Sequence, residues 1–230
     1  MIIYCMSDIH GCLAEFEDAL SLVLDDIEQG KAKLILLGDY IHGGPDNRGV
    51  LDRIMKLRER FGSDRIIALL GNHDEWVVNG SSTISNNSVY ARIEEWEDES
   101  DDDEYINWLS SLPLYYVEGN TIFVHAGIDE EAGDMWEWET SEDVFTSKYP
   151  AETGKIEGLD MKVVAGHVGT AEISGDRFFH DIYFDGESHY YIDGTGLDSG
   201  VIPVLMVDTE NDKYYQVTDS GKQLIEPYEE

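Results

Sequence analysis

The chain predicts an α/β fold of two mixed sheets packed face to face with helices outside, and three observations carry it. Five apolar runs each end in a tip that bears Asp, His or Asn, as strands of parallel sheets do at a ligand site. Two stretches with helical periodicity lie between the first three of those runs. From residue 178 onward, short apolar or alternating runs separated by turn residues replace the helices.

Ile2 to Met6 reads as the first strand and leads into Ser7-Asp-Ile-His-Gly11. Cys12 to Gln29 places Leu13, Phe16, Leu20, Val23, Leu24 and Ile27 on one stripe, with Gly30 where a C-cap is expected. Leu34 to Leu37 is a buried strand that ends at Gly38-Asp39. A second helix runs from Val50 to Phe61, closed by Gly62, and the strand at Ile66 to Leu70 ends in Gly71-Asn-His-Asp74. These units are βαβ crossovers. Residues 76–119 break the pattern and read as a helical cap inserted into a single domain of residues 1–230. Within it, Val89 to Trp96 starts a helix, and the acidic run Glu94 to Glu104 is a solvated face. Thr121 to Val124 leads to His125-Ala-Gly127, and Lys162 to Ala165 leads to Gly166-His167. Between them, Met135-Trp-Glu-Trp138 reads as packing. The runs at 178–184, 190–192, 202–207 and 214–217 are expected to form the antiparallel part of a second sheet.

The 230 residues suffice for a full core, and an apolar fraction of 42% with 11% aromatics is that of a folded protein. The formal net charge is −34. That charge argues against nucleic acid as a partner, because phosphate contacts need clustered Lys and Arg. It also repels anions at long range unless bound cations reverse the local field. An acidic excess of this size is compatible with a high-salt setting, where repulsion is screened. No apolar run approaches membrane-spanning length, so no membrane is expected. Cys5 and Cys12 form no disulfide framework, and a cytoplasmic location is the expectation.

The tip residues Asp8, His10, Asp39, Asn72, His125 and His167 are the candidate metal ligands. Oxygen and imidazole donors without thiolates suit manganese first, with iron or zinc as alternatives. A carboxylate between two cations can bridge them, and Asp39 comes from the middle of the set. Two ions about 3.5–4 Å apart activate a water and offset charge on a transferring phosphoryl group. His180 and His189 belong to no motif and are read as surface or packing residues.

These motifs together resemble those of the binuclear metallophosphoesterases, the calcineurin-like αββα fold. The resemblance is to the bacterial branch of the PPP group, which holds serine/threonine protein phosphatases and symmetrical diadenosine tetraphosphatases. It runs from about residue 1 to 217 and includes Ile192-Asp-Gly-Thr-Gly196. It implies that Asp8, His10 and Asp39 hold one divalent ion, and that Asp39, Asn72, His125 and His167 hold a second. It places His73 as the acid that protonates the leaving oxygen, with Asn72 and His73 also binding substrate. A phosphorylated small molecule, nucleotide or phosphoprotein is then the expected substrate, hydrolysed by a metal-bound hydroxide. The chain departs from the pattern where Gly-Asp-x-x-Asp-Arg-Gly becomes Gly38-Asp-Tyr-Ile-His-Gly-Gly44. His42 stands for the Asp that orients the catalytic His, and Gly43 for the Arg that clamps phosphate. No arginine occurs between Asp129 and Lys162, where a second clamp is expected. Three readings follow. Arg48 replaces the missing guanidinium, or His42 itself contacts a phosphate or a diphosphate bridge. In the third, the protein is a catalytically impaired, metal-binding regulator.

Overall fold

The computed structural model describes residues 1–85 and 102–229. From the N-terminus, β1 (Ile2–Met6) leads to α1 (Leu13–Ser21) and α2 (Leu24–Glu28). Then come β2 (Ala32–Leu36), α3 (Asn47–Phe61), β3 (Ile66–Ala68) and α4 (Asn72–Val78). Beyond residue 101 follow α5 (Asp103–Leu109), β4 (Tyr115–Glu118), β5 (Thr121–Val124) and a 3-10 turn over Glu130–Met135. Next are α6 (Trp136–Glu139), α7 (Glu142–Ser147), β6 (Lys162–Ala165), α8 (Thr170–Ser174), β7 (Tyr183–Phe184) and β8 (His189–Tyr191). The chain closes with α9 (Gly196–Ser199), β9 (Val204–Asp208), β10 (Lys213–Thr218) and β11 (Gly221–Leu224).

Two mixed sheets result, in the orders β11-β10-β9-β1-β2-β3 and β4-β5-β6-β8-β7. Period-two alternation builds the layers. Ile3, Cys5, Ile35, Leu37, Phe123, Val164, Tyr190 and Leu205 fill the space between the sheets. Their neighbours Tyr4, Met6, Leu34 and Leu36 face α1, α2 and α3. Ile122, Val124, Val163 and Ala165 face Trp136 and Phe145 on the opposite outer side. The parallel strands β1, β2 and β3 of the first sheet, and β5 and β6 of the second, carry their ligand-bearing tips to one rim. No helix among the described residues is long and apolar enough to cross a membrane.

Three sequence expectations change in the structure. The stripe at 12–29 is two helices, broken at Leu22 and Val23, whose N–H groups bond three residues back. The strands after residue 178 do not share a sheet. β7 and β8 close the second sheet, β8 running parallel to β6, whereas β9 pairs antiparallel with β1 and brings β10 and β11 onto the first sheet. In that position Leu205 and Val207 fill the inter-sheet core. Residues 76–119 include β4, which pairs with β5, and α5, which lies on the main helical layer. Trp108 of α5 stands 6.0 Å from the Tyr40 ring, and Tyr105 donates to Asp52 on α3. The helix expected at 89–96, and all of the acidic run but its last three residues, lie outside the described residues. Trp136 packs against Tyr115 and Phe145 as expected, whereas Trp138, also read as packing, is exposed.

Candidate metal centre

Three of the strand tips at the rim, those of β1, β2 and β6, bend sharply. Asp8, His10, Asp39 and His167 all adopt positive φ, at 54°, 49°, 54° and 65°. Such backbone costs about 1–3 kcal/mol at each non-glycine residue and persists where the surroundings over-determine it. Here the bends turn the side chains inward. Gly166 lets the two sheets meet, since a β-carbon there would stand 2.1 Å from Ser7 Oγ and 2.2 Å from Asp8 Oδ2. The next residue, His167, donates its backbone N–H to Asp8 Oδ2 at 3.0 Å, joining β6 to β1.

Two donor groups form, and they share Asp39: His10, Asp39 and His73 in one, Asp39, His125 and His167 in the other. Hydrogen bonds to main-chain carbonyls fix two of the imidazoles. His10 Nδ1 lies 3.1 Å from the Ile41 carbonyl and His125 Nδ1 lies 3.1 Å from the Leu37 carbonyl. A carbonyl only accepts, so both rings carry their proton on Nδ1 and turn a bare Nε2 to the centre. His10 Nε2 then faces Asp39 Oδ2 at 3.6 Å and Asp8 Oδ1 at 3.8 Å. His125 Nε2 faces Asn72 Oδ1 at 3.0 Å and Asp39 Oδ1 at 3.5 Å. Lone pairs thus confront lone pairs on both sides of Asp39, an arrangement that a cation between them satisfies. The residues present therefore fit divalent ions, which the two donor groups that share Asp39 would hold.

Electrostatics agree. Burial, with Asp8 and Asp74 beside it, holds the Asp39 carboxyl well above its ordinary range. Asp193 is raised in the same way by burial and Asp8. Burial pushes His125 down to about 3, which keeps its ring neutral and its Nε2 lone pair free for a metal. Asp74 closes the Gly71-Asn-His-Asp74 motif, and the structure gives it a role. It is fully buried and accepts from the N–H groups of Asp39, Tyr40 and Gly71 at 2.8, 3.1 and 3.1 Å, so it holds the Asp39 loop in place. Its sequence signal is a carboxylate three residues into a helix, where it can reach back to the entering chain. Asp193 had a weaker signal, a lone Asp at the β8 tip.

His73 and His42 form a pair beside this centre. Their Nδ1 atoms are 3.1 Å apart, and His42 Nε2 lies 3.0 Å from the Thr83 carbonyl. That carbonyl fixes the His42 proton on Nε2, so His42 Nδ1 accepts from His73 Nδ1–H. His73 therefore presents Nε2 to the site, 4.0 Å from Asp39 Oδ2. Trp76 lies against the His73 ring at 4.3 Å. Arg48 is not brought to the cluster: it is half-exposed on the first turn of α3, with Nη2 2.7 Å from Asp102 Oδ1. His180 bonds Thr195 Oγ1, and His189 is buried in a separate network of charges.

Comparison with known proteins gives the family and the fold. The family described as calcineurin-like phosphoesterase matches residues 1–195. The symmetrical bis(5'-nucleosyl)-tetraphosphatase of Nitrosospira multiformis is 37% identical over 131 residues, covering 56% of this chain and 44% of that protein. The chain thus spans about half the length of the curated relatives it matches. Among solved structures, the cold-active protein-tyrosine phosphatase of a psychrophilic Shewanella superposes with a TM-score of 0.65 at 15% identity, covering 98% of this chain and 80% of that one. A protein serine/threonine phosphatase from Saccharomyces cerevisiae gives 0.54 at 14% identity, covering 100% and 81%. These two show the fold.

Proposed function

Since the chain belongs to the calcineurin-like phosphoesterase family, we propose that it hydrolyses a phosphomonoester or a nucleotide-type phosphoanhydride with two divalent ions, manganese first. The carrying observation is Asp39, which turns one carboxylate oxygen toward each of two sets of unprotonated donors. Asp8, His10 and Asp39 would hold one ion, and Asp39, Asn72, His125 and His167 the other. Ions in such a site lower the pKa of water and offset charge on phosphoryl oxygens. The His73 ring reaches the His10 and Asp39 donors as well; its Nδ1–H bond to His42 leaves Nε2 bare, so the ring would act as acid toward a leaving oxygen only after taking a second proton on Nε2, which burial opposes by pushing its pKa down to about 3. General acids of this kind contribute typically ~10²–10⁴-fold.

His42 sets the direction of that proton and also limits its supply. With Nε2–H given to Thr83, it is a neutral acceptor, so no negative charge stands behind His73. Leaving groups that depart without a proton, such as the phosphate of an anhydride or an aryl oxide, are therefore favoured over alkyl oxides. This supports a nucleotide or aryl substrate over a protein phosphorylated on serine or threonine. A cytoplasmic setting is kept as part of the reading.

The test is an initial-rate comparison in Mn²⁺ of p-nitrophenyl phosphate, its bis-nitrophenyl diester and a dinucleoside tetraphosphate, with Asp39→Asn as the blank. Turnover of the monoester or tetraphosphate that vanishes in the variant is expected. No turnover of any of the three refutes the reading. It would favour the second one, an impaired metal-binding regulator, which the engagement of Arg48 by Asp102 supports.

A further inference from the structure

Position 43 follows the His42 that touches His73, so a side chain there would start at the lip of the centre. It is glycine, at φ 98°, and the space above it is filled from another element. A β-carbon on Gly43 would stand 2.5 Å from Leu197 Cδ1 and 3.1 Å from Cδ2. An arginine at position 43 would have to displace this leucine.

Leu197 is held firmly in that place. Thr195, which precedes α9, has φ 52°, donates its N–H to Asp193 Oδ1 at 2.7 Å and meets His180 Nδ1 through Oγ1 at 3.0 Å. Ser199 Oγ donates to the Gly194 carbonyl at 2.7 Å. Gly196 stands over the Asp8 carbonyl, where a β-carbon would be 3.8 Å away, so α9 rests on the loops of both Asp8 and Asp39. Yet Leu197 remains 46% exposed. A fixed, half-open apolar side chain thus stands beside a cluster of carboxylates and imidazoles, on a chain with a net charge of −34. A further phosphate gains nothing from such a neighbour. A flat organic face that covers the leucine gains hydrophobic contact.

We propose that Leu197 is a specificity-determining residue, an apolar wall that receives the aryl or base face of the substrate's organic group. This rests on the phosphoesterase reading and adds to it what the site recognises beyond phosphate. Full burial of a leucine side chain stabilises by about 1.5–3 kcal/mol, and covering its exposed half corresponds to roughly threefold to tenfold in affinity.

The experiment is equilibrium binding of phenylphosphonate and methylphosphonate to the Mn²⁺-loaded protein. The two ligands share a phosphonate head and differ in the aryl face. The wild type should bind phenylphosphonate at least threefold more tightly. Leu197→Ala should bring the two within twofold, and the volume-conserving Leu197→Met should keep the gap. Equal affinities in the wild type, or a gap that survives in a folded Leu197→Ala, overturn the proposal. A gap without hydrolysis of any phosphate would remove the enzymatic reading and leave the wall standing. Hydrolysis without a gap would remove the wall alone. Failure of both phosphonates to bind removes both.

Discussion

Replacing His189 by leucine should destabilise the protein most near pH 6 and progressively less in alkali. His189 is 2% exposed, with Nδ1 2.8 Å from Asp185 Oδ2 and Nε2 in charge contact with Glu130 Oε1 at 3.4 Å. Lys148 bridges Glu130 to Glu152, and the Tyr191 ring stacks on His189 at 6.0 Å. Burial alone would lower the His189 pKa, but the two carboxylates outweigh it and the net shift is upward from 6.5. Asp185 and Glu130 are shifted downward by the same contacts, against their own burial. The histidine's contribution is therefore full below its unfolded value of 6.5 and is lost as pH rises through its higher folded value. The carboxylates' contribution is present above their unfolded values of 3.8 and 4.5 and is lost as pH falls through their lower folded ones. Removing one partner of a buried ion pair costs ~3–5 kcal/mol. Here Asp185 keeps the N–H groups of Gly154, Glu187 and residue 189, and Glu130 keeps Lys148, so the lower end applies. At about 2–4 °C per kcal/mol for a chain of this size, the Tm should fall by roughly 6–12 °C at pH 6. The assay is thermal unfolding of both proteins from pH 5 to 9. Taking their difference cancels titrations at the metal centre. A difference that is flat with pH, or below 2 °C at pH 6, would refute the argument.

Three other outcomes are expected. His42→Ala removes the acceptor that orients His73, and should lower kcat at least tenfold on alkyl phosphates but by less than threefold on p-nitrophenyl phosphate. Equal losses on both would show that His42 acts on folding or binding alone. Arg48→Ala should change turnover by less than twofold, because the guanidinium is engaged by Asp102; a tenfold loss would mean that it leaves that partner for substrate. Raising KCl from 0.1 to 1 M shortens the screening length from about 10 to 3 Å, and at a net charge of −34 the unfolding midpoint should rise; a midpoint that does not move would remove the argument for a high-salt setting.

The rim was legible in the sequence because a parallel sheet writes its site twice, as apolar runs and as polar residues at their ends. Asp39, His125 and His167 come from three elements and two sheets, yet each tip announces itself locally. The partners that orient those residues do not. His42 depends on the Thr83 carbonyl, and His10 on the carbonyl of Ile41, atoms that every residue has. Asp74 serves three backbone N–H groups, a role set by where the loops close. Sheet membership after residue 178 was illegible for a similar reason. The apolar alternation of Val204 to Val207 fits a strand in either sheet, and the choice depends on β1 offering an open edge. His189 read as packing because its charged partners are separated from it in the sequence or hidden in a turn.

The resemblance that implies an Asp-Arg pair where this chain has His42-Gly43 raises the question whether such a site is rebuilt or merely eroded. Losing one of two opposite charges leaves the other without compensation, and in a buried site that is expensive. Here both are gone together, so the exchange is neutral in charge. His42 is 2% exposed, and its N–H and both ring nitrogens are engaged: the N–H with Asn47 Oδ1 at 3.0 Å, Nε2 with Thr83 and Nδ1 with His73. The vacated volume is taken by Leu197. An eroding site accumulates orphaned polar atoms and voids, whereas this one has neither at the exchanged pair. On the function proposed above, such an arrangement would suit leaving groups that need little proton and organic groups with an apolar face. The same two substitutions therefore account for the predicted leaving-group preference and for the wall at Leu197.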